Sequence, residues 1–380
     1  MALATPYIAR GADQVALPTE EDFSISHVLE RLARRVEPEL AGKPERVQQY
    51  VDFFHSEIGN DSRLFAFHVT ATAHGGDRVE LHGYIEFPES RSALVKFLSI
   101  LGFTVEDRLE SLPAANLGHQ IFGFVKVPHS VCYDRPDGRM RPENTCLIGE
   151  PLYLLREENH HLLVHSGEGY LGYIRSDDVL RVDADGFAQY LAGKRVRIKS
   201  DQNVGGFSIP AAASLKCVSS NDKTISAELP GGKQVDLPAS SCDLRGDSTA
   251  EIDKVIASGR QLIGTHYLWG GKTSHGIDCS GLVQFAFGAA GVQLPRDSYQ
   301  QIYVGQLSAT RWHMAGLRRG DTLYFLGPEG KIRHTALYLG NNHFLQAVIP
   351  VVRISSFNPA DPDYDAHRHA SFAFAKRPVE

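Results

Sequence analysis

One stretch constrains the fold more than any other: a glycine-containing loop that runs into a dense apolar segment. The segment follows Cys279 and ends at Gly291, and its apolar members are Leu282, Val283, Phe285, Ala286, Phe287, Ala289 and Ala290. This pattern predicts a buried helix that stops at Gly291. Asp278 stands where an N-cap residue belongs, so Cys279 is expected in the first turn.

A cysteine in this position has two interpretations. The N-terminus of a helix carries partial positive charge, which stabilises a thiolate, and a thiolate is the nucleophilic form of cysteine. The alternative is a small buried core residue without chemistry. The rest of the sequence decides between them.

Length and charge limit what the chain can be. With 380 residues, two to four domains are expected. The net charge of −6, without a long basic run, argues against nucleic acid as a partner. No apolar stretch approaches the roughly 18 residues needed to span a bilayer, so no membrane partner is expected.

Cysteine usage and the N-terminus bear on cofactors and compartment. The five cysteines form no CxxC pair, which argues against a zinc knuckle or a disulfide framework. We expect no metal and no organic cofactor. The first residues lack a signal-peptide pattern, which favours the cytoplasm; removal of a leader would place the protein in the periplasm or outside the cell. The sequence does not predict an oligomeric state.

Hydrophobic periodicity divides the chain into four domains. After an extended arm, residues 1–117 show the order helix, helix, strand, strand, helix, strand, which predicts a small α+β domain. Residues 118–182 and 193–246 consist of short strands broken by turns, and each resembles a bacterial SH3-like (SH3b) barrel. Residues 247–380 open with a helix capped near Ser248, and the apolar helix and a later antiparallel sheet follow. The overall class is α+β, multidomain.

A catalytic cysteine needs a base, and His334 lies in a strand pattern that holds it in place. The next strand carries Gln346. With an odd loop length the two side chains share one face of the sheet, whereas a two-residue loop puts them on opposite faces. On a shared face, the Gln346 amide oxygen could accept the imidazole N–H and fix the tautomer. A purely structural role for His334 is the alternative.

Three motifs in this region resemble those of NlpC/P60 cysteine peptidases, which have a papain-like fold. They are Tyr-x-Trp-Gly-Gly at residues 267–271, Asp-Cys-Ser-Gly at residues 278–281, and His-x-x-x-Tyr-Leu-Gly at residues 334–340. The resemblance implies Cys279 as nucleophile, His334 as base and Gln346 as the orienting residue. The family more often has histidine in that third place. Gln346 is neutral, so it should stabilise an imidazolium less than a charged partner would.

A narrower resemblance suggests the substrate. Two SH3b barrels ahead of the peptidase domain, together with Arg-Asp-Ser at residues 296–298, are similar to γ-D-glutamyl-L-diamino acid endopeptidases that act on cell-wall peptides. The resemblance implies that Asp297 holds the free amine of an N-terminal L-Ala and that Ser298 meets the D-Glu α-carboxylate. It also implies that Tyr267 assists the oxyanion region. Further candidates for substrate contact are Glu143 and Tyr170 of the first barrel, and Trp269, Asp278 and Ser280 of the motifs.

The predicted activity is hydrolysis of the γ-D-Glu–diamino acid bond in murein peptides with a free N-terminal L-Ala. Two alternatives stay open: a wall-binding module without catalysis, and an amidase or acyltransferase of the same fold. Asp297 and Ser298 could simply cap a helix, and Tyr170 could be ordinary barrel core.

Overall fold

The computed structural model describes residues 25–58, 61–244 and 252–379. The chain forms two compact units, Met1–Leu112 and Pro113–Glu380. The first unit therefore ends before the predicted boundary at residue 117, because Leu117 packs into the core of the following sheet and the Ala114 N–H donates to the Leu155 carbonyl. The arm predicted for residues 1–20 and the cap predicted at Ser248 lie outside the described residues.

The first unit has the predicted order of elements. They are α1 (Ile25–Val36), α2 (Val47–Ile58), β1 (Phe67–Ala73), β2 (Arg78–Ile85), α3 (Pro88–Ile100) and β3 (Thr104–Ser111). The sheet order is β1-β2-β3; the first pair is antiparallel and the second is parallel. Apolar side chains of the helices and strands form one core, and this burial holds the unit together.

The second unit begins with a seven-stranded sheet. Its strands are β4 (Phe122–Val125), β5 (His129–Tyr133), β6 (Pro142–Leu147), β7 (Pro151–Glu158), β8 (His161–His165), β9 (Leu171–Arg175) and β10 (Val179–Val182). The order across the sheet is β10-β4-β7-β8-β9-β5-β6, which puts β6 at one edge. That edge strand carries the predicted site residue Glu143.

A short helix and a five-stranded sheet follow. They comprise α4 (Ala184–Leu191), β11 (Arg195–Ile198), the separate hairpin β12 (Gln202–Val204) and β13 (Phe207–Ile209), then β14 (Ser214–Ser220), β15 (Thr224–Glu228), β16 (Gln234–Pro238) and β17 (Cys242–Leu244). The sheet order is β16-β15-β14-β11-β17. The short strands of this region were predicted from the sequence. The assignment of both sheets to SH3b barrels stays a prediction.

The C-terminal part has an α+β arrangement, as predicted. Its elements are α5 (Ile252–Arg260), β18 (Lys272–Thr273), β19 (Gly276–Ile277), α6 (Cys279–Ala289), α7 (Ser298–Gln301), β20 (Gln306–Thr310), β21 (Thr322–Leu326), β22 (Ile332–Gly340), β23 (His343–Ala347), β24 (Val352–Ser356), α8 (Ala366–Ser371) and β25 (Phe372–Arg377). Six strands form one antiparallel sheet in the order β20-β25-β21-β22-β23-β24.

The helix α6 is the apolar segment predicted from the sequence, and its side chains lie against β22 and β23. Leu282, Val283 and Ala286 are fully buried with Leu337 and Leu345 of the sheet. The backbone leaves the helix at Gly291, whose φ of +77° suits glycine. Among the described residues, no helix has the length and apolar character to cross a bilayer.

Candidate active site

Cys279 is the first residue of α6, and Asp278 is its N-cap, as predicted. The Asp278 carboxylate accepts the Gly281 N–H at 2.8 Å, which satisfies a donor of the first turn. Its other oxygen accepts the Gly270 N–H at 2.9 Å. The cap therefore also fastens the preceding glycine loop to the helix start.

Cys279 is buried, with only 8% of the residue exposed. Burial and the neighbouring Asp278 carboxylate raise the pKa of Cys279 to about 11, although the backbone N–H of Thr335 lowers it. Desolvation and a like charge outweigh the helix N-terminus, so the group rests as a thiol and needs a base.

His334 and Gln346 lie on the same face of the sheet. Leu337 pairs with Leu345, and on this register Gln346 lies opposite Ala336, which shares a face with His334. The hairpin loop has two residues, Asn341 and Asn342, both with positive φ. A β-bulge just before it restores the parity that a two-residue loop would otherwise reverse.

Gln346 fixes the tautomer of His334. His334 Nε2 lies 2.9 Å from Gln346 Oε1, while the Gln346 amide nitrogen donates to Ser355 Oγ and Asp365 Oδ2 at 2.8 and 3.0 Å. The amide oxygen can only accept, so Nε2 carries the proton and Nδ1 keeps the lone pair. Both side chains are buried.

Electrostatics keep the imidazole neutral. Burial, and then the positive charge of Arg368, lower the pKa of His334 well below its ordinary value. Gln346 opposes this shift only through its hydrogen bond. The site therefore rests with a neutral thiol and a neutral imidazole, and His334 is ready to accept a proton.

Tyr267 supplies an O–H group near the thiol. Burial, and then the charges of Cys279 and Asp278, raise the pKa of Tyr267. The phenol stays protonated and can donate a hydrogen bond at any physiological pH.

Arg296 is a buried residue whose role the sequence did not predict. Its side chain is 1% exposed and pairs with the Asp278 carboxylate through both terminal nitrogens, at 3.1 and 2.6 Å. It also donates to Ser280 Oγ at 2.8 Å and to Asn144 Oδ1 at 2.8 Å. The predicted substrate residues Asp278 and Ser280 thus belong to a buried network, and a substrate contact for either stays a prediction.

The same network continues into the seven-stranded sheet. Asn144 of β6 donates to Glu168, which also accepts from Lys272 and Gln284. Burial disfavours the charged form of Lys272, but Glu150 and Glu168 prevail and raise the pKa of Lys272. Charged side chains from both regions therefore neutralise one another beneath the glycine loop.

Strand β6 lies against the loop that precedes the nucleophile. Thr145 Oγ1 donates to the Gly270 carbonyl at 2.8 Å, and the Trp269 indole N–H donates to Glu143 at 3.3 Å. A Cβ on Gly270 would lie about 3.1 Å from the Glu143 backbone, so this approach favours glycine. The structure brings Glu143 to Trp269, and it buries Tyr170 with 1% exposure.

Asp297 and Ser298 begin the short helix α7. Asp297 and Gln300 form a capping box, in which the Asp297 N–H donates to Gln300 Oε1 at 3.2 Å. This is the structural role named as an alternative. Asp297 is partly exposed and Ser298 is buried; their predicted contacts with substrate remain predictions.

One group of described residues could hold a metal ion. His343, Asp361 and Asp363 bring ligand atoms within 4.8 Å of one another. Asp361 already accepts from Ser356 and Asn358, which accounts for its position in the loop. None of the predicted catalytic residues belongs to this group.

The comparisons with known proteins address the same region. Residues 264–368 match the model of the NlpC/P60 family. The chain contains an NlpC/P60 domain. This stretch includes the cysteine, histidine and glutamine described above, and the papain-like α+β catalytic fold predicted here is confirmed.

Curated relatives match over the same domain. A γ-D-glutamyl-L-lysine dipeptidyl-peptidase of Bacillus cereus is 31% identical over 26% of this chain and 29% of its own length. A murein DD-endopeptidase/LD-carboxypeptidase of Escherichia coli is 44% identical over 25% of this chain and 49% of its own. The chain thus spans less than half of either relative.

A solved structure extends the likeness in fold beyond this domain. An NlpC/P60 family protein from Bacillus cereus aligns with 68% of this chain and 100% of its own, with a TM-score of 0.60 and 19% identity. At this identity the likeness concerns the fold alone. It covers more of the chain than the NlpC/P60 domain does.

Proposed function

We propose that the protein is a cysteine endopeptidase that cleaves the γ-D-Glu–diamino acid bond of murein peptides with a free N-terminal L-Ala. The observation that carries the proposal is the contact of β6 with the glycine loop that precedes the nucleophile, where the Trp269 indole N–H donates to the Glu143 carboxylate at 3.3 Å. The name of the Bacillus cereus relative, a γ-D-glutamyl-L-lysine dipeptidyl-peptidase, supports the same bond.

The first chemical step is acylation of Cys279. The His334 Nδ1 lone pair takes the thiol proton as the sulfur attacks the γ-carbonyl carbon of D-Glu. The backbone N–H groups at the start of α6, together with the Tyr267 O–H, stabilise the oxyanion in this proposal. The imidazolium then protonates the leaving amine, the C–N bond breaks, and a thioester remains.

Water completes the cycle. His334, neutral again, removes a proton from the water that attacks the thioester carbonyl. The thiolate leaves and regains that proton, which frees the dipeptide. Gln346 holds the imidazole in one tautomer through both steps, because its amide oxygen accepts a hydrogen bond from Nε2 of the ring.

Two carboxylates support recognition of a substrate amine. Asn144 follows Glu143, Arg296 precedes Asp297, and the Asn144 and Arg296 side chains are hydrogen-bonded at 2.8 Å. Glu143 and Asp297 are thus sequence neighbours of this buried pair, and we propose that both carboxylates face the substrate amine. A partly buried ammonium needs such negatively charged acceptors.

Blocking the substrate amine is expected to lower kcat/KM by at least about 30-fold, the loss for a buried charge pair with one partner removed. The measurement compares L-Ala-γ-D-Glu-L-Lys with its N-acetyl form by release of lysine. The Glu143→Gln variant should narrow the ratio between the two peptides. Asp177→Asn, a change at a carboxylate with 87% exposure in the turn between β9 and β10, is the control. Equal cleavage of both peptides by the wild type would refute amine recognition.

The pH dependence of kcat/KM should reflect the neutral resting pair. Because the pKa of His334 is lowered, the acidic limb should lie below pH 6.5, where the base becomes protonated. On the alkaline side the rate should fall above about pH 8, since the substrate amine loses its proton there. An acidic limb at or above pH 6.5 would contradict this account of the site.

A further inference from the structure

Arg368 lies beside the catalytic pair, although no sequence motif singled it out. It belongs to α8, whose N-cap Asp365 accepts the Arg368 N–H at 3.0 Å. Its Nε donates to Gln346 Oε1 at 3.1 Å, the oxygen that His334 also contacts. The guanidinium carbon lies 5.7 Å from the centre of the Phe325 ring, and that ring packs against His334. The side chain is therefore held in place beside the imidazole.

The Arg368 guanidinium has more N–H donors than the described residues use in hydrogen bonds. Arginine carries five N–H groups, and only the Nε–H is used in hydrogen bonding to residues that the structure describes. The four N–H groups on the two terminal nitrogens have no partner within the described ranges. A half-buried cation with unused donors in a fixed fork is suited to bind a carboxylate in a bidentate manner.

Arg368 interacts electrostatically with the proposed reactive groups. Burial lowers the pKa of Arg368, while Asp365 and the ionised forms of Cys279 and Tyr267 act in the opposite direction. Two of these three groups are the proposed nucleophile and oxyanion donor. An anion bound by Arg368 would therefore lie next to the reacting bond.

The two sides of the proposed substrate site carry opposite charges. Glu143 and Asp297 are on the side of β6 and α7, where the amine end of the substrate is proposed to bind. Arg368 is on the side of His334 and Gln346, where the leaving amine receives its proton. The residue released carries an α-carboxylate one carbon away from that amine, unless the peptide continues.

We infer that Arg368 binds the free α-carboxylate of the residue that is released, and so selects peptides that end immediately after the scissile bond. This inference rests on the proposed function. It assigns the leaving-residue side of the site a specificity that complements amine recognition on the other side. The preferred substrate class is a tripeptide with charges at both ends.

The test compares L-Ala-γ-D-Glu-L-Lys with its C-terminal amide, using the wild type, Arg368→Leu and Arg368→Lys. In the wild type the amide should be cleaved with kcat/KM at least about 10-fold lower, as expected for a lost charge-assisted hydrogen bond. Arg368→Leu should abolish the difference by slowing the free acid selectively. Arg368→Lys keeps the positive charge but loses the parallel N–H donors of the guanidinium, so it should retain part of the difference between the acid and the amide. Thermal unfolding of each variant checks the fold.

The outcomes separate the two proposals. Equal cleavage of acid and amide by the wild type would overturn the assignment of Arg368 and leave the peptidase proposal standing. An equal loss on both peptides in Arg368→Leu would show that the residue only positions Gln346 and His334, which also overturns it. If the wild type cleaves neither peptide, the proposed function fails, and this inference fails with it.

Discussion

Replacing Cys279 with alanine is expected to lower kcat on the tripeptide by about 10⁴-fold or more, because no other group can form the acyl-enzyme. The change removes one buried sulfur, so folding should be retained. The measurement is release of lysine under saturating substrate, with substrate binding followed separately by calorimetry. Retained binding without turnover would place the defect in the chemical step.

A matched cysteine serves as the control. Cys217 is a free, half-buried cysteine of the five-stranded sheet and belongs to no part of the proposed site. Cys217→Ala should leave kcat unchanged. Turnover that survives Cys279→Ala would refute the thiol mechanism, and tight binding without wild-type turnover would favour the wall-binding module.

Replacing Arg296 with methionine should cause the largest loss of stability. The substitution leaves the Asp278 carboxylate buried without its cation, which costs roughly 3–5 kcal/mol when one partner of a buried pair is removed. The urea midpoint of the second unit should fall by about 1 M or more. The midpoint is the appropriate quantity, because a chain with several domains need not unfold in two states.

Arg319→Met is the matched control for this change. Arg319 pairs with Asp253 on the surface, where both side chains are more than half exposed, so the loss should be below about 1 kcal/mol. Arg296→Lys should fall between the two, since an ammonium cannot reproduce the fork to Asp278. Equal urea midpoints for Arg296→Met and Arg319→Met would show that the buried pair contributes no more to stability than the surface pair does.

Local sequence patterns were enough to predict the helix that begins at Cys279 and its N-cap. The apolar run after Cys279 and the side-chain chemistry of Asp278 both act within a few residues, so the sequence contains the needed information. Local patterns were not enough to predict the register of the hairpin formed by β22 and β23. The shared face of His334 and Gln346 was one of two predicted registers, and the bulge that selects it has no clear sequence signal.

Contacts between distant parts of the chain were beyond sequence reasoning. Asn144 and Arg296 are 152 positions apart, and only the packing of β6 against the C-terminal domain makes them partners. Arg368 follows Gln346 by 22 positions, on a short helix without a motif. The pKa of Cys279 likewise depends on the assembled site. The helix start and the Asp278 carboxylate are local features, whereas the burial that raises this pKa most comes from the packing of distant parts of the chain.

The buried charges beneath the glycine loop limit how this catalytic domain could be recombined. Arg296 and Lys272 have partners in Asn144, Glu150 and Glu168, which lie in strand β6 and in two loops of the seven-stranded sheet. A gene fusion that carried only the C-terminal portion would expose these cations to solvent and remove the strand beside Trp269. The transferable module is therefore the sheet together with the peptidase domain, and swaps at the intervening linkers should give poorly folding chimeras.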